Sequence, residues 1–380
     1  MSSVLSLTNA HDACDLSDPD DAGERVREVS ARAACDGSHL AGPGPADGAI
    51  AAGTFLVVGA GSIGLRHLAN LCELGVERTA VYRTDLGGER SIPRDTIVAR
   101  DFAAALDAKP AAVFVCNPSA LHVPMALEVA RRRIALFVEK PLSHSMDGVR
   151  ELGAEIAVRS TLAAVGFQFR FHPVLVRVKN WLEEGAIGEV VSARAAWGEY
   201  LPDWHPGEDY RTSYAARREL GGGVILTLCH PFDYLRWFLG DVDSVSATAT
   251  RSGQLDLDVE DVAHVTLHFY SGALATVSLD YTERPHRHTF TIVGREGSIH
   301  WTGADGAAHL FRAESGEVTS CRPPRGYSRN SMFREQARNF VASVEGREKP
   351  KCGFADGLAA LEIALAARRS AAEGRRIPCP

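Results

Sequence analysis

Residues 55–64 read Phe-Leu-Val-Val-Gly-Ala-Gly-Ser-Ile-Gly, and this run constrains the fold more than any other stretch. Four apolar residues break into Gly-x-Gly-x-x-Gly, which suits a buried strand that must turn sharply into a helix beneath a pyrophosphate. Gly59 permits the turn, Gly61 lets backbone approach phosphate, and Gly64 lets the helix lie close to the strand. Amides at the helix N-terminus, with Ser62 and Ile63 in its first turn, then face the negative charge. Leu65, Leu68 and Leu71 follow at helical spacing, and Thr79 to Tyr82 supplies a second strand, so the segment reads as a βαβ unit.

Composition removes several classes. At 380 residues the chain is long enough for two domains, and 45% hydrophobic with 23% charged residues is ordinary for a globular protein. A formal charge of -7 without a basic patch argues against nucleic acid as partner. No apolar run reaches the ~18 residues of a membrane span. The first residues lack a basic region followed by an apolar core, so the expected location is cytoplasmic. The eight cysteines form no Cys-x-x-Cys pair, so neither a metal site nor a disulfide framework is expected.

Residues 1–52 are rich in Ala, Asp, Gly, Ser and Pro and are expected to be a disordered extension. From 53 to 171, apolar runs at Phe55–Val58, Thr79–Tyr82, Ala112–Cys116, Ile134–Val138 and Leu162–Phe167 alternate with helical patterns. That alternation predicts a doubly wound parallel sheet of Rossmann type, an α/β fold. Ligands of such sheets bind beyond the carboxyl ends of the strands, which puts Gly59–Gly64, Cys116, Asn117, Pro118, His122, Glu139 and Lys140 along one rim. Residues 172–380 read as an α+β domain with a large, mostly antiparallel open sheet. Its helices are expected at Pro173 to Glu184, Ser331 to Glu345 and Phe354 to Glu373.

Four segments carry a family likeness: Gly59-Ala-Gly-Ser-Ile-Gly64, Cys116-Asn-Pro118 with His122, Glu139-Lys-Pro141, and Gly221-Gly-Gly with His230-x-x-Asp233. From Thr54 onward the chain resembles the Gfo/Idh/MocA oxidoreductases of sugars and polyols. Tyr200 to Arg211 is similar to a branch found in bacterial polysaccharide and antibiotic-sugar pathways. The resemblance implies NAD(P)-dependent hydride transfer at a hydroxyl or keto carbon of a sugar or nucleotide-activated sugar, by a homodimer or homotetramer. It also implies proton-transfer roles for Lys140 and His230, while Asp233 is read from its own position as orienting His230 or capping a turn. Position 227 departs from the pattern: the branch has Asp where this chain has Thr227. Two other readings stay open: a catalytically impaired dinucleotide-binding accessory protein, and an elimination or glycosidic-cleavage enzyme on the same fold.

Chemistry assigns the remaining residues. Lys140 suits acid–base work once burial and nearby positive charge lower its pKa, while His230 titrates in the working range unaided. If residues 227–233 form one helix, Thr227, His230 and Asp233 share a face. Trp204, Tyr210, Arg211 and Tyr214 combine aromatic faces with polar groups and are candidates for a sugar ring, with Thr227 as a substrate hydrogen bond. Gln168 and Arg170 are candidates for nicotinamide or substrate contact. Arg83, followed by Thr84, stands 19 residues after Gly64 (83 − 64) where an NAD enzyme usually has a carboxylate, so NADP is expected, with NAD the alternative.

Overall fold

The computed structural model describes residue 50 and residues 52–83, 92–93 and 95–379. The expected disorder of residues 1–52 and the candidate Thr84 therefore lie outside the described residues, apart from residues 50 and 52.

Strands β1 (Phe55–Val58), β2 (Thr79–Tyr82), β3 (Ile97–Ala99), β4 (Ala112–Val115), β5 (Ala135–Val138) and β6 (Ala163–Val165) form one parallel sheet in the order β3-β2-β1-β4-β5-β6. Each of β1 and β4 is buried along its whole length, as expected of strands covered by helices on both faces. The covering helices are α1 (Ser62–Glu73), α2 (Phe102–Asp107), α3 (His122–Arg131) and α4 (Val149–Arg159). The strand order places the crevice between β1 and β4, where the chain reverses direction across the sheet.

After α5 (Pro173–Glu183) comes a second sheet, built from β7 (Val190–Gly198), β8 (Val242–Thr250), β9 (Val262–Phe269), β10 (Leu274–Asp280), β11 (Arg287–Gly294), β12 (Gly297–Thr302), β13 (Ala308–Arg312), β14 (Val318–Cys321) and β15 (Ile377–Pro378). Its order is β14-β13-β12-β11-β7-β10-β9-β8-β15, antiparallel throughout except where β10 runs parallel to β7. Between β7 and β8 lie two short helices, α6 (Val224–Thr227) and α7 (His230–Leu239). The helix expected across 227–233 is thus two helices. Pro231 has no N–H for the Thr227 carbonyl, so the helical ladder cannot run through this point.

Helices α8 (Arg329–Val344) and α9 (Phe354–Glu373) end the chain. Although α8 falls within the expected second domain, it packs on the parallel sheet. Phe340 sets its ring 5.2 Å from Phe114 and 5.4 Å from Phe137 in edge contacts, and Asn330 donates to Asn70 of α1 at 2.9 Å.

Candidate active site

The dinucleotide rim follows from the turn after β1. Gly59 has φ +102, a value that favours glycine, and a Cβ at Gly64 would overlap the Gly59 carbonyl oxygen. Gly61 is the N-cap of α1 and offers no side chain to the first amides, while a Cβ built there meets nothing within 4 Å. Across the crevice, Asn117 Oδ1 is buried with no hydrogen-bond partner among the described residues. An uncapped helix end, open space beside Gly61 and an orphaned amide oxygen fit a dinucleotide: the 61–64 backbone, with Ser62 and Ile63, suits a pyrophosphate, and Asn117 and Pro118 border the same crevice. Arg83 follows directly on β2 and is half-buried.

Other rim residues are placed to hold the rim itself. Cys116 is buried behind the Gly59 turn. His122 turns both ring nitrogens to backbone oxygens, Nδ1 to Pro141 and Nε2 to Asn117, each at 2.8 Å. Its ring braces two loops and has no free nitrogen for a cofactor. Burial lowers its pKa, with those carbonyls opposing. Glu139 is buried against His67 of α1, with 2.7 Å between His67 Nε2 and the carboxylate, and it accepts the Lys140 amide at 3.1 Å. Sequence reading missed His67. The available signal was its place on the buried face of α1 beside Gly64, Leu68 and Leu71.

Lys140 lies just beyond β5 and projects to α6, where its Nζ donates to the Thr227 carbonyl oxygen at 2.8 Å. Burial pulls the lysine pKa down, but Tyr214, Cys229 and Glu139 outweigh it, and the balance lies above the ordinary value. The expected lowering is therefore corrected: anionic and polar neighbours, not cations, dominate here.

His230 opens α7 and is almost fully buried. Trp197 stacks on it at 5.2 Å, and Phe167 and Phe169 meet it edge-on at 5.5 and 5.0 Å. Gln168 Nε2 lies 3.2 Å from His230 Nε2, so that nitrogen accepts and the proton sits on Nδ1. Burial first, then Lys140 and His288, push the imidazole well below its usual range. The expectation that His230 titrates near neutrality does not survive this burial. The ring is a neutral hydrogen-bonding group at pH 7.

Arg170 and Asp233 face each other. The guanidinium donates from Nη2 to Asp233 at 2.8 Å and from Nε to both carboxylate oxygens at 3.1 Å, and it also reaches the Lys351 carbonyl at 3.2 Å and Asp356 at 3.1 Å. Arg170 is thus a buried brace rather than a substrate contact, and Asp233 is held by Arg170 rather than aimed at His230. Burial raises the Asp233 pKa against the opposing pull of Arg170.

A cavity of about 120 Å³ is lined in part by Trp204, Tyr210, Ser213 and Tyr214. Tyr214 joins it to Lys140: burial raises the phenol pKa, and the Lys140 ammonium opposes that rise. Trp204 meets Tyr281 edge-on at 5.5 Å, and the Tyr210 hydroxyl is already taken by the Asp256 amide at 3.0 Å. Arg211 is exposed and forks onto Asp209 at 2.7 to 3.0 Å, so the structure does not bring it together with Lys140. Among the described residues, no group of three or more His, Cys, Asp or Glu could hold a metal, and no helix is long and apolar enough to cross a membrane.

Comparison with known proteins agrees with this geometry. Residues 54–167 match the oxidoreductase family with an NAD-binding Rossmann fold, and residues 175–300 match the GFO/IDH/MocA C-terminal domain. Inositol 2-dehydrogenase of Rhizobium meliloti (strain 1021) is 31% identical over 299 residues, 74% of this chain and 83% of that protein. The chain belongs to the Gfo/Idh/MocA oxidoreductase family. Among solved structures, levoglucosan dehydrogenase in complex with NADH and levoglucosan superposes with TM-score 0.76 at 20% identity, covering 87% of this chain and 100% of that one. GenD2 from gentamicin A biosynthesis in complex with NAD gives 0.70 at 26%, covering 90% and 100%. As a member of this family the chain is an oxidoreductase that works on CH–OH groups with NAD(P).

Proposed function

We propose that this chain moves a hydride between a nicotinamide dinucleotide and a hydroxyl or keto carbon of a sugar or nucleotide-activated sugar. The setting is polysaccharide or antibiotic-sugar biosynthesis in the cytoplasm, and the preferred cofactor is NADP. The observation that carries this reading is the Lys140 ammonium, held at 2.8 Å by Thr227 and within electrostatic reach of His230 and of Tyr214, which lines the cavity. The bound dinucleotide supplies hydride chemistry. Lys140 handles the proton: as ammonium it gives one to a developing alkoxide, and as free amine it takes one from a hydroxyl. One of its three N–H groups is fixed on Thr227, which leaves two for substrate. Neutral His230 offers Nδ1–H, a buried donor with no partner among the described residues. Trp204 and Tyr214 suit a sugar face and its hydroxyls.

The alternative of an accessory protein without chemistry draws on Thr227, which leaves position 227 without a carboxylate. Lys140→Met separates the two. We expect turnover to fall by about 10³-fold or more while dinucleotide affinity, read by protein fluorescence, stays within about threefold. Because the Lys140 pKa is raised, hydroxyl oxidation in the unsubstituted chain should climb steadily as pH rises above neutrality, whereas ketone reduction stays flat and declines only at high pH. Unchanged turnover in the Met variant defeats the proposal. A homo-oligomer is part of this reading. It is supported by the open sheet face that carries exposed His264 and Thr276, buried Val265 and Val277 lying on the opposite face, a polar surface suited to a second copy.

A further inference from the structure

We propose that the main-chain carbonyl of Thr227 is the fixed acceptor that aims Lys140, and that Pro231 is a positioning residue because it keeps this carbonyl available. The inference rests on the reading of Lys140 as the proton-transfer group.

In an uninterrupted helix the carbonyl of residue 227 accepts the N–H of residue 231. Proline has no N–H, and its ring clashes with the carbonyl four residues back, here Thr227. The chain accordingly leaves helical geometry: Leu228 takes φ -96 and ψ 35, α6 stops at Thr227, and α7 starts at His230 with the proline in its first turn. Thr227 is 1% exposed, so water does not reach its carbonyl. A buried carbonyl needs a donor, and Lys140 Nζ at 2.8 Å provides it. The benefit is mutual. The lysine stem has four rotatable bonds, and this contact ties its end to the backbone.

A carbonyl also does something that a carboxylate at position 227 would not. It is an acceptor at every pH and brings no net charge. When Lys140 is a free amine, one of its N–H groups still points at the carbonyl, so the lone pair is turned away from Thr227. The amine is thus oriented in both protonation states, as a group that gives and takes a proton in one cycle requires. The charged or titratable neighbours of Lys140 are Glu139, Tyr214, Cys229, His230 and Arg329. Neither substitution below removes any of them.

The test compares the unsubstituted chain with Pro231→Ala and Thr227→Val. The readout that needs no turnover is the pH dependence of Lys140 acetylation by acetic anhydride, followed by peptide mass spectrometry. Pro231→Ala restores an N–H that competes for the Thr227 carbonyl. Its labelling curve is expected to shift about one pH unit lower, because the ammonium loses its acceptor. Its kcat for hydroxyl oxidation should drop about tenfold or more, with KM moved less than about threefold. Thr227→Val keeps the carbonyl and removes only the hydroxyl, so the labelling curve should match the unsubstituted chain. A Pro231→Ala protein with the original curve and kcat overturns the inference. So does a Thr227→Val protein whose curve moves, since the side chain would then be the holder; this second arm decides even where the alanine variant does not fold. Failure of the unsubstituted chain to turn over any sugar would instead count against the dehydrogenase reading and leave the labelling result standing.

Discussion

The proposed preference for NADP rests on Arg83. It stands directly after β2, and a guanidinium there attracts a 2′-phosphate that a carboxylate would repel. Arg83→Ala is expected to cut kcat/KM for NADP about tenfold or more, while that for NAD changes less than about threefold. Steady-state kinetics with both cofactors reads this directly, and equal or better use of NAD by the unsubstituted chain refutes the preference. Such residues could be named as candidates from sequence because each belongs to a local motif: Gly59 to Gly64, Lys140 and His230 each sit in a recognisable string. Their electrostatic character was not legible there. Lys140 owes its raised pKa partly to Tyr214 and Cys229, 74 and 89 positions along the chain (214 − 140 and 229 − 140), and His230 owes its depression to burial among Trp197, Phe167 and Phe169. Motif spacing carries no information about a ring of aromatics closing over an imidazole.

At the scale of elements, the buried Arg170–Asp233 pair ties the loop after β6 to α7, and Asp356 joins the start of α9 to the same guanidinium. Both side chains of the pair are at most 6% exposed, so removing the cation leaves a buried carboxylate without its partner. Arg170→Ala is expected to cost about 3–5 kcal/mol of stability, read as a fall in the urea midpoint, whereas the double replacement Arg170→Met with Asp233→Leu should recover much of that loss. A midpoint within error of the unsubstituted chain would show that the pair carries no such weight. Elements legible in sequence were those with strong local periodicity, such as Phe55–Val58, Thr79–Tyr82 and Phe354–Glu373, which have the bounds expected. β3 spans three residues, and β13 and β14 lie at the outer side of the second sheet with exposed positions along them, so the apolar pattern there is too short or too diluted to read. The break between α6 and α7 was hidden differently: Thr227, His230 and Asp233 satisfy helical spacing, and only Pro231 contradicts it.

Across the whole molecule, the return of α8 to the parallel sheet could not be read from sequence, because Phe340 meets Phe114 and Phe137 more than 200 residues earlier (340 − 114 and 340 − 137). The same long-range packing buries three imidazoles in one aromatic cluster. His288 stacks on Trp197 at 4.1 Å, His230 stacks on the same indole at 5.2 Å, and His172 meets Trp301 at 5.8 Å. Burial pushes His288 down to about 3 and His172 to about 4, and His230 well below its ordinary value. Unfolding releases all three to titrate near 6.5, so below that pH the unfolded chain binds protons that the native chain refuses. Their stabilising contribution is complete above pH 6.5 and is lost as pH falls towards each folded value, at about 1.4 kcal/mol per pH unit for each ring. Glu199 loses its contribution in the same direction but in a lower window. Burial works to raise its pKa, but His286, Arg329 and Trp197 hold it at about 2, so its contribution persists above the unfolded value and is lost only in stronger acid. The window from pH 6.5 to 5 therefore isolates the histidines from Glu199. In that window the urea midpoint should fall steeply, and His288→Phe, which keeps a ring against Trp197, should flatten the slope. A midpoint that does not move between pH 6.5 and 5 would mean that the cluster admits protons in the native state, and the buried-neutral assignment of His230 would fail with it.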